Sequence, residues 1–245
     1  MYKVIYGLMA FSVLGTPSVF AQSGYEQDLI KTSEGDIVIT LLGHGTLMME
    51  FGGMVIHIDP YSQVADYSKL PKADLILLTH HHGDHLDKKA LSNIQGKNTH
   101  LILTSICAES LGSGMVMKNG DKTSFKGIDI EAVPAYNIAH KRDSGQPFHI
   151  KGEGNGYVLK FGDKKIYIAG DTENIPEMKN LKDIYCAFLP MNLPYTMTSE
   201  MTADAARTLK PAVLYPYHFG ETDTSELLRL LEKDRSIEVR IRKMK

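Results

Sequence analysis

Cysteine is scarce in this chain: Cys107 and Cys186 are the only two among 245 residues. Both lie in apolar surroundings, Ser105-Ile106-Cys107-Ala108 and Tyr185-Cys186-Ala187-Phe188, with no basic residue close by to favour a thiolate. A disulfide framework and a thiol nucleophile are therefore set aside, and two buried free thiols are expected. An excess of charge is missing as well. The formal net charge is -2 and no basic stripe is visible, so nucleic acid and an anionic membrane surface have no footing as partners. No linker or low-complexity stretch divides the chain. The longest uncharged apolar run, Val4 to Phe20, is broken by Gly7, Gly15 and Pro17 and falls short of the roughly 20 residues of a spanning helix. Stable membrane insertion is not expected. With Lys3 before that run and Val19-Phe20-Ala21 after it, residues 1–21 read as a signal peptide cleaved after Ala21. The rest, 22–245, reads as one exported domain, periplasmic or secreted.

What is present is an ordinary globular composition, 43% hydrophobic and 23% charged, arranged as short apolar strands between glycine-rich turns. Strands are predicted over 37–42, 47–51, 55–58, 75–79, 101–104, 128–133, 157–161, 165–168, 187–189, 213–217 and 237–241. Helical patterns cover 87–94, 199–209 and 225–232, the last with Asp223 and Glu226 spaced as a capping box. One pattern occurs twice. Gly43-x-Gly45, a strand, Gly52-Gly53, a strand and Asp59 are echoed by Gly154-x-Gly156, a strand, Gly162-Asp163, a strand and Asp171. Two similar halves, each a sheet covered by helices, predict an α+β fold, a four-layer αββα sandwich.

The densest chemistry is Thr79-His80-His81-His82-Gly83-Asp84-His85, directly after an apolar strand. Imidazole nitrogens and carboxylate oxygens suit zinc. Residues two apart in an extended segment point the same way, so His80 and His82 can share one ion. A turn at Gly83 then brings Asp84 and His85 towards a second. Further donors lie at other strand ends: Asp171, placed to bridge two cations, and His218. Asp59 suits a carboxylate behind the ligands, holding the ring of His80 or His82 through its far nitrogen.

This order of residues resembles the metallo-β-lactamase superfamily. Leu42-Gly43-His44-Gly45 and Tyr215-Pro216-Tyr217-His218-Phe219-Gly220 resemble its ascorbate-6-phosphate lactonase-like branch. The resemblance implies two divalent ions, Zn2+ first and Mn2+ or Fe2+ as alternatives, in a cleft at one edge of the sandwich. It assigns His80, His82 and a third histidine to the first ion, Asp84, His85 and His218 to the second, and Asp171 to both. The usual place of the third histidine is Asn137 here, which leaves His149, favoured by the resemblance of its loop, or His140. True β-lactamases of this family replace the bridging Asp, and its oxygen reductases alter the second histidine of the motif. Asp171 and His82 are both present, which points to hydrolysis of something other than a β-lactam.

The implied reaction needs no side-chain nucleophile: two metals about 3.5–4 Å apart would share a hydroxide. Its target is an ester, lactone or phosphoester of a small-molecule substrate, with Asp84 and Asp171 as the catalytic carboxylates. His44 and Tyr195 are candidates for facing substrate, against packing roles for each. Two other readings remain at this level, a secreted metal-binding protein without catalysis and a phospholipase-like phosphodiesterase with a wide apolar mouth.

Overall fold

The structure, a computed structural model, describes residues 24–244. The expected signal peptide and its cleavage point lie outside the described residues. The first sheet runs in chain order through β1 (Glu26–Thr32), β2 (Gly35–Gly43), β3 (Thr46–Phe51), β4 (Met54–Ile58), β5 (Leu75–Leu77), β6 (His100–Leu103) and β7 (Met115–Val116). Helices α1 (Lys88–Ile94) and α2 (Ser105–Leu111) follow β5 and β6. The second sheet contains β8 (Lys122–Phe125), β9 (Ile128–Ala135), β10 (Gly154–Phe161), β11 (Lys164–Ile168), β12 (Ile184–Pro190), β13 (Val213–Tyr217) and β14 (Glu238–Val239). Its helices are α3 (Ser199–Leu209) and α4 (Thr224–Leu231).

The halves repeat one plan. In each sheet the first three strand pairings are antiparallel and the last three parallel. The echoed glycine-turn hairpins are β3–β4 and β10–β11, and each leads into the first parallel step of its sheet. Gly52 and Gly53 both have positive φ, 57° and 79°, the geometry a two-residue hairpin turn demands.

Strict alternation along the strands builds the layers. Leu75 and Leu77 of β5 join Ile56, Ile58 and Ile102 in the core between the sheets, shared with Ile130, Tyr157, Leu159 and Ile168 of the second sheet. Ile76 and Leu78 point the other way and pack with Ala90, Leu91 and Ile94 of α1 and Cys107 of α2. Burial on both faces is why Leu75-Ile76-Leu77-Leu78 reads as an unbroken apolar run. Each such side chain contributes roughly 1.5–3 kcal/mol of transfer free energy. The expected αββα sandwich with two similar halves is the observed fold. Cys107 and Cys186 are buried and unpaired, and among the described residues no helix is long and apolar enough to cross a membrane.

Some expectations shift at the edges. The strand expected over 237–241 pairs only at Glu238–Val239, because the chain then leaves the sheet. Arg242 instead reaches across to Asp28 of β1, Nη2 to Oδ1 at 2.9 Å. The capping box on α4 is half made. Asp223 accepts from the Ser225 backbone N–H at 2.8 Å, but Glu226 pairs with Arg229. Strand β1 is absent from the sequence reading because only Ile30 among its residues is buried. Helix α2 is absent because its seven residues bury only Cys107, too little for a periodic signal.

Candidate metal centre

The C-terminal ends of the parallel strands supply the site, as is usual for open sheets. Asp59 follows β4, the segment from Thr79 to His85 follows β5, Asp171 follows β11, and His218 follows β13. The backbone bends sharply at these ends. His44, Asp59 and His218 are three of the six described non-glycine residues with positive φ, at 53°, 45° and 47°. Such conformations cost energy and persist where the surroundings over-determine them. Two glycines make room. A Cβ on Gly45 would stand 2.9 Å from the His85 ring and 3.2 Å from that of His218. Gly170, at φ +65°, lets the chain pass the Asn155 carbonyl and the Thr79 side chain, both of which a Cβ would meet within 3.1 Å, and so delivers Asp171 into the cleft.

Side chains converge in two groups that could each hold a metal ion: His80, His82, His149 and Asp171, and His44, Asp84, His85 and His218. Asp171 stands between them. Its Oδ2 lies 3.2 Å from His149 Nε2, 3.8 Å from His80 Nε2 and 3.7 Å from His218 Nε2, and its Oδ1 lies 3.5 Å from His85 Nε2. One carboxylate therefore faces imidazoles of both groups. Of the two histidines proposed as third ligand, His149 is in the cluster. His140 is not, since its ring is held by Glu173 Oε1 at 2.8 Å.

Asp59 is placed differently from the sequence expectation. Rather than holding His80 or His82 directly, it contacts His85, Oδ2 to Nδ1 at 2.8 Å. It reaches His80 only through Thr79, whose hydroxyl donates to Asp59 Oδ2 and faces His80 Nδ1 at 3.0 Å. The Thr79 backbone N–H donates to Asp59 Oδ1 at 2.8 Å. The reason is the turn after Thr79, which sends His82 outward and folds His85 back beneath His80. His85 N–H and Leu86 N–H both donate to the His82 carbonyl, at 3.0 and 2.8 Å. A carboxylate on Nδ1 of His85, and a hydroxyl on Nδ1 of His80, leave both Nε2 lone pairs directed at the cleft.

Asn137, at the position where a histidine is usual, performs the same service for His149. Its Oδ1 accepts from the His149 backbone N–H at 2.9 Å and from the ring Nδ1 at 2.7 Å. Its Nδ2 donates to Glu173 Oε1 and to the Tyr195 carbonyl. Glu173, 1% exposed, also accepts from the backbone N–H groups of Ile138, Ala139 and His140, each at 2.7 Å. Loss of such an orienting partner typically lowers metal affinity about 10–100-fold. Asn137→Ala is thus expected to weaken the first site by that factor in a competitive-chelator titration, with Asn137→Asp retaining most of the affinity. An unchanged affinity in the alanine variant rules the role out.

Electrostatics match the donor set. Burial and the charge of His85 hold the His80 pKa well below its usual value. Burial, with His149 beside it, lowers His82 to about 4. Both rings are neutral at pH 7 and offer lone pairs. Burial opposes ionisation of Asp171, but the neighbouring His218 and His85 outweigh it and keep the carboxyl well below the carboxylate range. Asp84 is held down likewise, burial being overcome by hydrogen bonds with His218 and His44. His85 Nε2, His149 Nε2 and Asp171 Oδ1 are buried and have no hydrogen-bond partner. Orphaned buried polar atoms are costly, and once a divalent cation displaces the proton of His85 the convergent imidazole and carboxylate lone pairs are what it satisfies. The residues present fit two such ions.

His44 lies nearer the chemistry than expected, Nε2 to Asp84 Oδ2 at 2.9 Å, with its ring 3.8 Å from that of His218. A cavity of about 460 Å³ opens on Asp84, Asp171, His82, His149 and His218, and Tyr195, 45% exposed, lines it with Arg142, Phe148 and Asn192. His57 is a buried structural histidine whose Nε2 meets the Pro71 carbonyl at 3.2 Å. Thr79, Glu173 and Arg142 escaped the sequence reading. Their hydroxyl, carboxylate and guanidinium acquire these roles from partners 20 or more residues away or from the cavity wall, and no local spacing signals that.

A family model described as the Beta-lactamase superfamily domain matches residues 38–218. A UPF0173 metal-dependent hydrolase of Pelotomaculum thermopropionicum is 31% identical over 220 residues, covering 83% of this chain and 95% of its own. Among solved structures, an assigned metal-dependent hydrolase from Parabacteroides distasonis superposes with a TM-score of 0.86 at 48% identity, over 90% of this chain and 100% of its own. Igni18, a metallo hydrolase from Ignicoccus hospitalis, shares the fold with a TM-score of 0.70 at 24% identity, over 84% and 94% of the two chains.

Proposed function

The chain belongs to the metallo-β-lactamase superfamily and is a metal-dependent hydrolase, and from that premise we propose that it is an exported dinuclear zinc enzyme cleaving an ester, lactone or phosphoester of a small molecule. The observation that carries this reading is the Asp171 carboxylate, which faces His80 and His149 on one side and His85 and His218 on the other. In the proposed site His80, His82 and His149 would hold one ion, Asp84, His85 and His218 the other, and Asp171 would serve both. When bound, such ions polarise a substrate oxygen and lower the pKa of water to about 7.

The protein's own groups divide the remaining work. Asp59, Thr79 and Asn137 fix ring orientation. The Asp171 side chain is 4% exposed at the floor of the cavity, whereas the Asp84 side chain is 32% exposed and hydrogen-bonded to His44. Asp84 is therefore the carboxylate placed to pass a proton between the cleft and water, with His44 steering it. The lactone in the substrate range rests on the resemblance of the His44 and His218 motifs to the ascorbate-6-phosphate lactonase-like branch. A metal-binding protein without catalysis is the weaker reading, because a pure binder needs no 460 Å³ cavity against its donors.

Metal analysis and a substrate panel test the proposal together. Two equivalents of zinc per chain and turnover of a lactone, thioester or phosphodiester are expected. A chelator should abolish turnover and lower Tm. Removing one ion held at 1,000 times its Kd costs about 4 kcal/mol, or roughly 10 °C for a domain of this size. Turnover that survives complete metal removal defeats the reading. Export is tested by sequencing the mature N-terminus, expected to begin at Gln22.

A further inference from the structure

The wall of the cavity beside the metal cluster carries chemistry that hydrolysis itself does not use. Among the residues lining it, the acids are Asp84 and Asp171, both in the candidate ligand set, and the one cation besides the histidines is Arg142. Two divalent ions carry four positive charges, which two carboxylates offset only by half. With both ions bound the pocket would be electropositive on the ion side, and it is so at Arg142, with no acid in its lining left to balance the guanidinium.

Arg142 is held in position. Its guanidinium lies over the Phe148 ring at 5.0 Å, and its Nη2 donates to the Phe148 carbonyl at 3.4 Å. Phe148 in turn meets Tyr195 edge-to-face at 5.0 Å. The Arg142 turn is closed by hydrogen bonds with Gln146 and Gly145, at 2.8 Å each. Its base is tied down by Glu173 and Asn137, and Asn137 also holds the Tyr195 carbonyl. Arginine stacked on an aromatic face keeps its fork of donors pre-organised for an oxyanion.

The wall beside Arg142 is aromatic, formed by Phe148 and Tyr195. Of the eight large hydrophobic residues exposed in the described chain, Ile138, Ile150, Leu193 and Tyr195 lie on the two segments that carry this wall, at 49, 42, 44 and 45% exposure. Ile150 follows His149, Leu193 follows Asn192, and Ile138 follows Asn137. Of these only Tyr195 lines the cavity itself, beside Phe148, and Leu193 is joined in the chain to Asn192 of the lining; an exposed aromatic at a cavity wall of this kind marks a recognition surface.

We propose that the substrate is an amphipathic anion, bound with its carboxylate or phosphate on the Arg142 fork and its apolar arm along Tyr195 and the Phe148 edge, so that the scissile bond lies over the candidate metal cluster. This rests on the hydrolase reading of the site and narrows its substrate class. It requires both elements at once: an anion without an arm, or an arm without an anion, engages half of the wall.

The test is calorimetric binding to the zinc-loaded full-length mature chain, which needs no turnover. The probes are hexyl phosphate, hexanoate, inorganic phosphate and hexanol. Hexyl phosphate is expected to bind at least tenfold more tightly than inorganic phosphate, and hexanol to show no binding at millimolar concentration. Comparing hexyl phosphate with hexanoate tells which oxyanion is preferred. Arg142→Ala should weaken hexyl phosphate tenfold or more at unchanged zinc content, and Arg142→Lys should fall between. The variant Tyr195→Ser should erase most of the preference for hexyl over inorganic phosphate. Equal binding of hexyl and inorganic phosphate, or undiminished binding by Arg142→Ala, overturns the inference. The hydrolase reading fails separately, through absent metal or chelator-resistant turnover, so the two failures are distinguishable.

Discussion

Asp171→Asn is expected to cut turnover by at least roughly 10²–10³-fold, the scale seen when one pre-organised electrostatic group is removed, and to reduce bound zinc from two equivalents to one or fewer. The substitution is isosteric, so packing around the cleft is retained and the experiment isolates charge. The carboxylate offers acceptor atoms on both oxygens, Oδ1 towards His85 and Oδ2 towards His149, His80 and His218. Asparagine keeps one acceptor and replaces the other by an NH2 whose hydrogens point where a cation needs a lone pair. Whichever way the amide turns, one of the two proposed metal positions loses its shared ligand. Mass-spectrometric metal content and steady-state rates on the ester panel read the outcome. A variant with two zinc ions and full turnover is incompatible with Asp171 as the bridge.

Asp59→Ala is expected to unfold the protein more easily by about 3–5 kcal/mol, the range for removing one partner of a buried charged pair, and so to lower Tm by roughly 10 °C or more. Asp59 is fully buried, and its carboxylate accepts from the Thr79 backbone, the Thr79 hydroxyl and His85. Its loss orphans all three. Burial acts to strip the proton from His85, yet Asp171 and Asp59 outweigh it and raise its pKa to about 10. Without metal the ring of the alanine variant therefore carries a buried charge with one carboxylate partner fewer, and with metal bound the neutral ring would lose the acceptor of its Nδ1–H. Urea and thermal denaturation measure the effect, and a loss below about 1 kcal/mol would show that Asp59 is not the anchor described here. Asp59→Asn, which keeps one acceptor, should fall between.

Much of this architecture is legible in the chain itself. Period-two or unbroken apolar patterns located eleven of the fourteen described strands, because a strand buried on one or both faces must alternate or run apolar. The repeated glycine hairpins gave away the two halves, and His80, His82, Asp84 and His85 announced themselves because so many ligand-type side chains rarely follow an apolar strand without a purpose. Strands β1, β7 and β8 and helix α2 were hidden, since each buries one residue or none and leaves no period.

The partners of the site are another matter. Local spacing pointed to most residues that could bind metal: His80, His82, Asp84 and His85 share one short segment, and Asp171 and His218 stand at the ends of recognisable strands, whereas His149 came from the family resemblance. Only the tertiary structure decided that His149 and not His140 enters the cluster, that Asp59 serves His85, that Asn137 turns from a missing ligand into the clamp on His149, and that Arg142 faces the cleft. These depend on hydrogen bonds and cavity walls made between segments 12 to 36 residues apart in sequence, and their geometry follows from how two sheets pack. A residue's chemistry is written in its side chain, but its direction is set by the fold that holds it.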